Sequence, residues 1–311
     1  MLIVILSHTR FQFKLKRPIA KMGSNQSIQT ATSRAISLDN AEAVELMLSV
    51  SSSKRAITNY MSQAVSEGSL DVVKTLINHQ ANVNQLNPVG ESLLHSAAFR
   101  GHTDIAKVLI ENSADVNIAS KVGVTALMCS ASKGNIGVTR LLLSARAHVD
   151  SISAKSNTSL RLAAVGNYPI IMQDLIEAGA DVDTMSSDGH SALGASAYFG
   201  NVEAVKTLLA AKADITLGAR GDTPLHLAAR GLTNQHQITV LLLEAGSEWF
   251  RRNDKGRMPI NVARSPSVTC VLEQANPAYF LHKYSAEILK AASEEEKEPL
   301  ARLGVVEKDS E

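Results

Sequence analysis

Thr223-Pro-Leu-His-Leu-Ala-Ala229 decides the fold, because the chain says it again and again. Ser92-Leu-Leu-His-Ser-Ala-Ala98, Thr125-Ala-Leu-Met-Cys-Ser-Ala131, Thr158-Ser-Leu-Arg-Leu-Ala-Ala164 and Ser191-Ala-Leu-Gly-Ala-Ser-Ala197 vary the same seven-residue phrase, and weaker copies begin at Asn59 and Met258. The starts at 59, 92, 125, 158, 191, 223 and 258 are spaced 33, 33, 33, 33, 32 and 35 residues apart. A fixed period of this length means one supersecondary unit that buries its apolar face only by stacking on copies of itself. Length alone would divide 311 residues into two domains. The period instead predicts one all-α solenoid over 27–275.

Other landmarks keep phase with the phrase. A glycine two residues ahead of it recurs as Gly90, Gly123, Gly189, Gly221 and Gly256, and a glycine after the first helix as Gly68, Gly101, Gly134 and Gly200. Ala-Asx-Val-Asx closes four copies at 81–84, 114–117, 147–150 and 180–183, with His148 replacing the first Asx of the third. The opening Thr or Ser offers an oxygen to the unpaired N–H groups of a first helical turn, and the glycine between helices suits a tight reversal. The second helix carries a wider apolar stripe, such as Ile105, Val108, Leu109 and Ile110. Departures fall in three places. Asn167 takes an inter-helix glycine position, the sixth copy has two extra residues near Gly231–Gln235, and the last breaks at Arg264-Ser-Pro.

The period and its T-P-L-H-x-A phrase resemble the ankyrin-repeat family over about residues 59–275. The resemblance implies stacked helix pairs joined by hairpin tips, with capping repeats at both ends. Residues 27–50 read as the N-terminal cap and 276–293 as a C-terminal capping helix.

Composition agrees with such a body. Hydrophobics at 45% and charge at 20% describe a globular chain, and aromatics at 4% leave Ala, Leu, Val and Ile to build closely packed helices. A net charge of +1 argues against nucleic acid, which demands a concentrated basic surface. No apolar run is long enough to cross a bilayer, and two cysteines are too few for a disulfide framework, so a cytoplasmic setting is expected. Charge gathers at the ends. Residues 1–26 belong to a basic, flexible stretch with no acid before Asp39, and 294–311 form an acidic tail of seven acids against three bases.

No catalytic chemistry emerges. His95 and His226 hold the fourth position of the phrase, where the family resemblance implies a hydrogen bond to a neighbouring turn. The remaining histidines share no ligand spacing with one another or with Cys129 and Cys270, so no metal is expected. Phosphate-loop, dinucleotide and nucleophile-elbow motifs are absent, and neither an enzyme site nor a cofactor is expected.

The expected function is binding: a monomeric, non-catalytic adaptor or scaffold holding another protein. In the family the concave face is built from hairpin tips and the exposed ends of first helices. Carried onto this chain, the tips are Glu91, Lys121, Lys155, Asp188, His190, Arg220, Asp222 and Arg257, and the helix ends Phe99, Arg100, Lys133, Tyr198, Phe199 and Arg230. Aromatics beside arginines have the composition of binding hot spots, although the same rings could instead cover a helix end within the stack. An alternative is a regulator held reversibly on membranes. Met22-Gly-Ser-Asn-Gln-Ser27 has the form of an N-myristoylation signal, with Gly23 acylated if translation starts at Met22.

Overall fold

A computed structural model describes residues 25–50 and 53–275. The basic stretch with Gly23, the helix expected at 276–293 and the acidic tail lie outside the described residues.

The described residues are helical, with only isolated bridges between Leu86 and Ser92 and between Ala119 and Thr125. They divide into two compact units, with the division within the fourth repeat, after Gly166. The first unit holds the pairs Asn25–Ser37 and Ala41–Val50, Lys54–Glu67 and Leu70–Asn78, Leu93–Arg100 and Thr103–Glu111, and Ala126–Lys133 and Ile136–Ser144, followed by Ser159–Val165. The second holds Ala192–Phe199 with Val202–Ala210, Pro224–Ala229 with Gln235–Glu244, and Pro259–Val262 with Pro266–Gln274. Helix Pro169–Glu177 contributes to both.

Each first helix starts where its cap sits. The Thr125, Thr158 and Ser191 hydroxyls accept the backbone N–H of Met128, Arg161 and Gly194 at 3.4, 3.2 and 3.2 Å. Most end on a left-handed residue, such as Gly101 at φ 79°. Asn167 meets the same demand at φ 56°, as one of the few residue types that tolerate it. Leu94, Ala97 and Ala98 of one first helix and Leu127 and Ala131 of the next are buried, as are Ile105, Leu109, Val138 and Leu142 from the second helices. Each buried leucine or isoleucine contributes about 1.5–3 kcal/mol.

Two polar ladders join successive copies. The residue after the inter-helix glycine reaches back to the preceding first helix: Ser69 Oγ donates to the Ile36 carbonyl at 2.7 Å, and Asn135 Nδ2 to that of Ala98 at 2.7 Å. The closing Asx forms the other. Asn84 Oδ1 accepts the Asp115 N–H, Asn117 Oδ1 that of His148, and Asp183 Oδ1 that of Asp214, each at 2.8 Å. These bonds satisfy backbone groups that helix ends and loops leave open.

Two local expectations change. The helix expected to open at Asn59 begins at Lys54, with Ser53 accepting the Ala56 N–H. Ile57 stands where other copies have the turn glycine, so nothing interrupts the helix, although Asn59 keeps the phase. The sixth copy carries its extra residues in the turn 230–234, which closes on Asn234 at φ 49°. A Cβ at Gly231 would lie 2.8 Å from the Tyr198 carbonyl oxygen, so that turn requires glycine.

Candidate protein-interaction face

In each unit the ends of the first helices and the adjacent hairpin tips carry the exposed side chains that the sequence singles out. Within Leu93–Arg100 the buried positions Leu94, Ala97 and Ala98 direct Phe99 and Arg100 outward. Phe99 is 50% exposed, and the Lys133 ammonium lies 4.4 Å from its ring centroid. An exposed pair of this kind contributes about 0.5–1 kcal/mol. Asn135 Nδ2 also donates to the Phe99 carbonyl at 3.2 Å, fixing the helix end beneath the ring. Phe99, Arg100 and Lys133 line an open groove of about 890 Å³ with Ser37, Ser66, Glu67 and His102. The other predicted residues of this unit sit on tips. Lys121 and Lys155 are exposed, and half-buried Glu91 accepts from Asn87 Nδ2 at 2.8 Å.

The second unit repeats the plan with different chemistry. Tyr198 and Phe199 pack edge to face at 5.5 Å; Phe199 is 41% exposed and Tyr198 half-buried. Both backbone carbonyls are occupied, by the Leu232 N–H at 2.9 Å and the Thr233 hydroxyl at 3.0 Å. Asp188, His190, Arg220, Asp222, Arg230 and Arg257 line a groove of about 530 Å³, joined by Lys255 and Asn253. Arg220 and Arg257 are exposed. Asp222, expected on the surface as a contact residue, is only 8% exposed. Its Oδ2 lies 2.9 Å from Arg230 Nη1, and its Oδ1 accepts from Asn253 Nδ2 at 2.6 Å. Asn253, which sequence reading missed, is the organiser of this tip: its Oδ1 accepts the N–H groups of Lys255 and Arg257, each at 3.0 Å. The signal was periodic: five residues ahead of the phrase other copies have Asn87, Ser120 and Ser153, whose side-chain oxygens likewise accept tip N–H groups.

The histidines of the phrase fasten tips to helices. His95 Nδ1 accepts the Ser92 N–H at 3.1 Å, and His226 Nδ1 that of Thr223 at 3.3 Å. A backbone amide can only donate, so the proton resides on Nε2. From there it is given to the carbonyl of Val124 at 2.9 Å and of Arg257 at 3.0 Å. Burial holds both imidazoles below their ordinary pKa, against the raising effect of those carbonyls. Burial, with a smaller contribution from Glu91, pushes the Cys129 thiol up to about 12. Among the described residues no group of three or more His, Cys, Asp or Glu could hold a metal ion. No helix among them is long and apolar enough to cross a membrane.

Comparison with known proteins agrees with this geometry. The family model "Ankyrin repeats (3 copies)" matches residues 61–153 and 160–254. Ankyrin repeat and SOCS box protein 11 of Danio rerio is 35% identical over 75 residues, and ankyrin repeat and SOCS box protein 9 of Homo sapiens 33% identical over 75. Each match spans 24% of this chain and a quarter of the relative's length. The crystal structure of the human ASB11 ankyrin repeat domain aligns at a TM-score of 0.64 and 29% identity, covering 70% of this chain and 97% of that one.

Proposed function

The chain belongs to the ankyrin-repeat family, a family of protein-interaction modules, and we propose that it works as a non-catalytic adaptor or scaffold that holds a partner protein. The partner is received on the hairpin tips and first-helix ends. The protein acts as a cytoplasmic monomer and uses neither a cofactor nor nucleic acid. The observation that carries this reading is Phe99, half exposed at a rigid helix end beneath a lysine, with Arg100 beside it. An aromatic anchor half exposed to solvent has area to lose to a partner, and its fixed backbone limits the entropy lost on contact. Phe199 gives the second unit a comparable ring.

Affinity capture from native extract with the wild-type chain and with Phe99→Ala, Tyr198→Ala and Phe199→Ala combined tests the reading. Each anchor is expected to contribute about 1–3 kcal/mol, so the triple variant should release a stoichiometric partner. Undiminished capture by the triple variant would place the contact elsewhere. A second reading rests on Met22-Gly-Ser-Asn-Gln-Ser27: acylation of Gly23 would let the same repeats work at a membrane.

A further inference from the structure

The groove of the second unit is built differently from an ordinary solvated surface. Its floor acid, Asp222, has both oxygens engaged by Arg230 and Asn253, so its charge is matched from within. Three cations remain on the rim. Arg220, Lys255 and Arg257 are exposed, and none has an ion pair among the described residues. The other lining acid, Asp188, accepts from the Ser186 hydroxyl and the His190 N–H. The three rim cations outnumber it.

Their spacing is fixed by backbone bonds. Asn253 ties down the amides of Lys255 and Arg257, His226 holds the Arg257 carbonyl, and the Asp254 N–H donates to the Arg220 carbonyl at 2.9 Å. Arg220 is held at φ 55°, immediately before Gly221 at φ 72°. Glycine would occupy that conformation freely. Eight other non-glycine residues among those described share the left-handed conformation, so here it shapes the tip that carries the guanidinium.

We propose that this groove binds an extended acidic peptide segment of a partner protein. Carboxylates pair with the guanidinium groups of Arg220 and Arg257, and Lys255 adds to the field. Guanidinium groups match carboxylates through two parallel hydrogen bonds, and their planar fork gives up little freedom per bond formed. Acids at the floor and on the rim, together with a whole-chain charge of only +1, disfavour a polyphosphate in the same place. The proposal rests on the reading of tips and helix ends as a protein-binding face, and it names the chemistry of one part of the partner.

The test is fluorescence anisotropy on the full chain. The probes are a labelled octapeptide of alternating glutamate and serine, and its glutamine counterpart. The glutamate peptide should bind at low salt, weaken as salt is raised, and exceed the glutamine peptide by about tenfold or more. Arg220→Gly combined with Arg257→Ala should lower its affinity by about tenfold or more. Glycine suits the backbone at 220, and the Arg257 backbone bonds survive truncation, so the variant keeps its circular dichroism. Lys206→Ala, on a second helix and paired with Glu203, should leave peptide affinity unchanged. Equal binding of both peptides, or an unaffected double variant, would overturn the proposal. So would binding seen only after residues 294–311 are removed, since that would assign the groove to the chain's own acidic segment. Partner capture lost on removing Phe99, with no glutamate-peptide binding, would overturn the acidic assignment and leave the adaptor reading standing. Peptide binding that responds to Arg220 and Arg257, with no partner ever captured, would support the groove and count against that broader reading.

Discussion

Replacing His226 separates two jobs that one ring performs. Its Nδ1 accepts the Thr223 N–H and its Nε2 donates to the Arg257 carbonyl, with the side chain fully buried. In His226→Ala the Thr223 amide, itself buried, loses its acceptor, at about 1–3 kcal/mol. The Arg257 carbonyl loses a bond worth about 0.5–1.5 kcal/mol net, because its exposed residue gives water some access. With the void left by the imidazole, the expected loss is about 3–4 kcal/mol, a large share of the roughly 5–15 kcal/mol typical of a whole domain. His226→Asn should lose only about 1 kcal/mol. Asn261 already fills the same position in the last copy, accepting the Met258 N–H at 2.9 Å, so asparagine keeps the cap and drops the tip. Urea denaturation followed by circular dichroism at pH 7.5 measures both variants. The wild type supplies a second readout. Both histidines are held neutral below their ordinary pKa of about 6.5. The unfolded chain therefore binds more protons than the folded one once pH falls below that value. Stability should be complete above about pH 6.5 and decline as pH drops through the window beneath it. Replacing both histidines by asparagine should flatten that decline. His226→Ala within about 0.5 kcal/mol of wild type would refute the reasoning, and so would a denaturation midpoint unchanged from pH 7.5 to 5.5.

The two cysteines should separate under iodoacetamide at pH 8. Cys129, buried with its thiol pushed up to about 12, should react only on unfolding, while exposed Cys270 reacts at once; mass spectrometry of timed digests shows which. Met128→His should stabilise the chain by about 0.5–1.5 kcal/mol. The new ring would accept the Thr125 N–H and reach the Asn157 carbonyl, as His95 and His226 do one position before the next phrase, and a lower urea midpoint would count against it. Mass spectrometry of the native N-terminus decides the lipid. A terminal Gly23 carrying a myristoyl mass supports the membrane reading, with one chain binding only reversibly, and a peptide spanning 1–21 refutes it.

Features set by a residue's own position were legible in the sequence. Thr and Ser cap the helices they precede, glycine ends them, and Asn167 takes the left-handed conformation for the reason its residue type suggests. The outward direction of Phe99 follows from helix phase, given Ala97 and Ala98. Features that depend on a partner one period away were not legible. The closing Asx recurs plainly, but its use, accepting an amide in the next copy, joins residues 31 apart. Asp222 counts as a tip residue on position alone. Its depth is set by Arg230 and by Asn253, the latter a partner 31 residues further along the chain. The early start at Lys54 runs the other way: the period points to Asn59, whereas the local sequence lacks a turn glycine and lets the helix begin earlier.

The same division explains where this chain can differ from its relatives. Positions that bond to the adjacent copy cannot change without leaving a buried backbone group open, and that cost recurs wherever the ladder is broken. Exposed tip and helix-end side chains such as Phe99, Arg220 and Arg257 stand outside those ladders, so they are free to carry recognition. The first unit places an aromatic ring and a lysine at its helix ends; the second places arginines at its tips over an acid that is already paired. Arg220 sharpens the contrast, because it stands where the backbone favours glycine and its side chain makes no ion pair among the described residues. The Asp254 N–H holds its backbone carbonyl, so the conformation is supported from within the tip, and the exposed guanidinium is what remains for a partner.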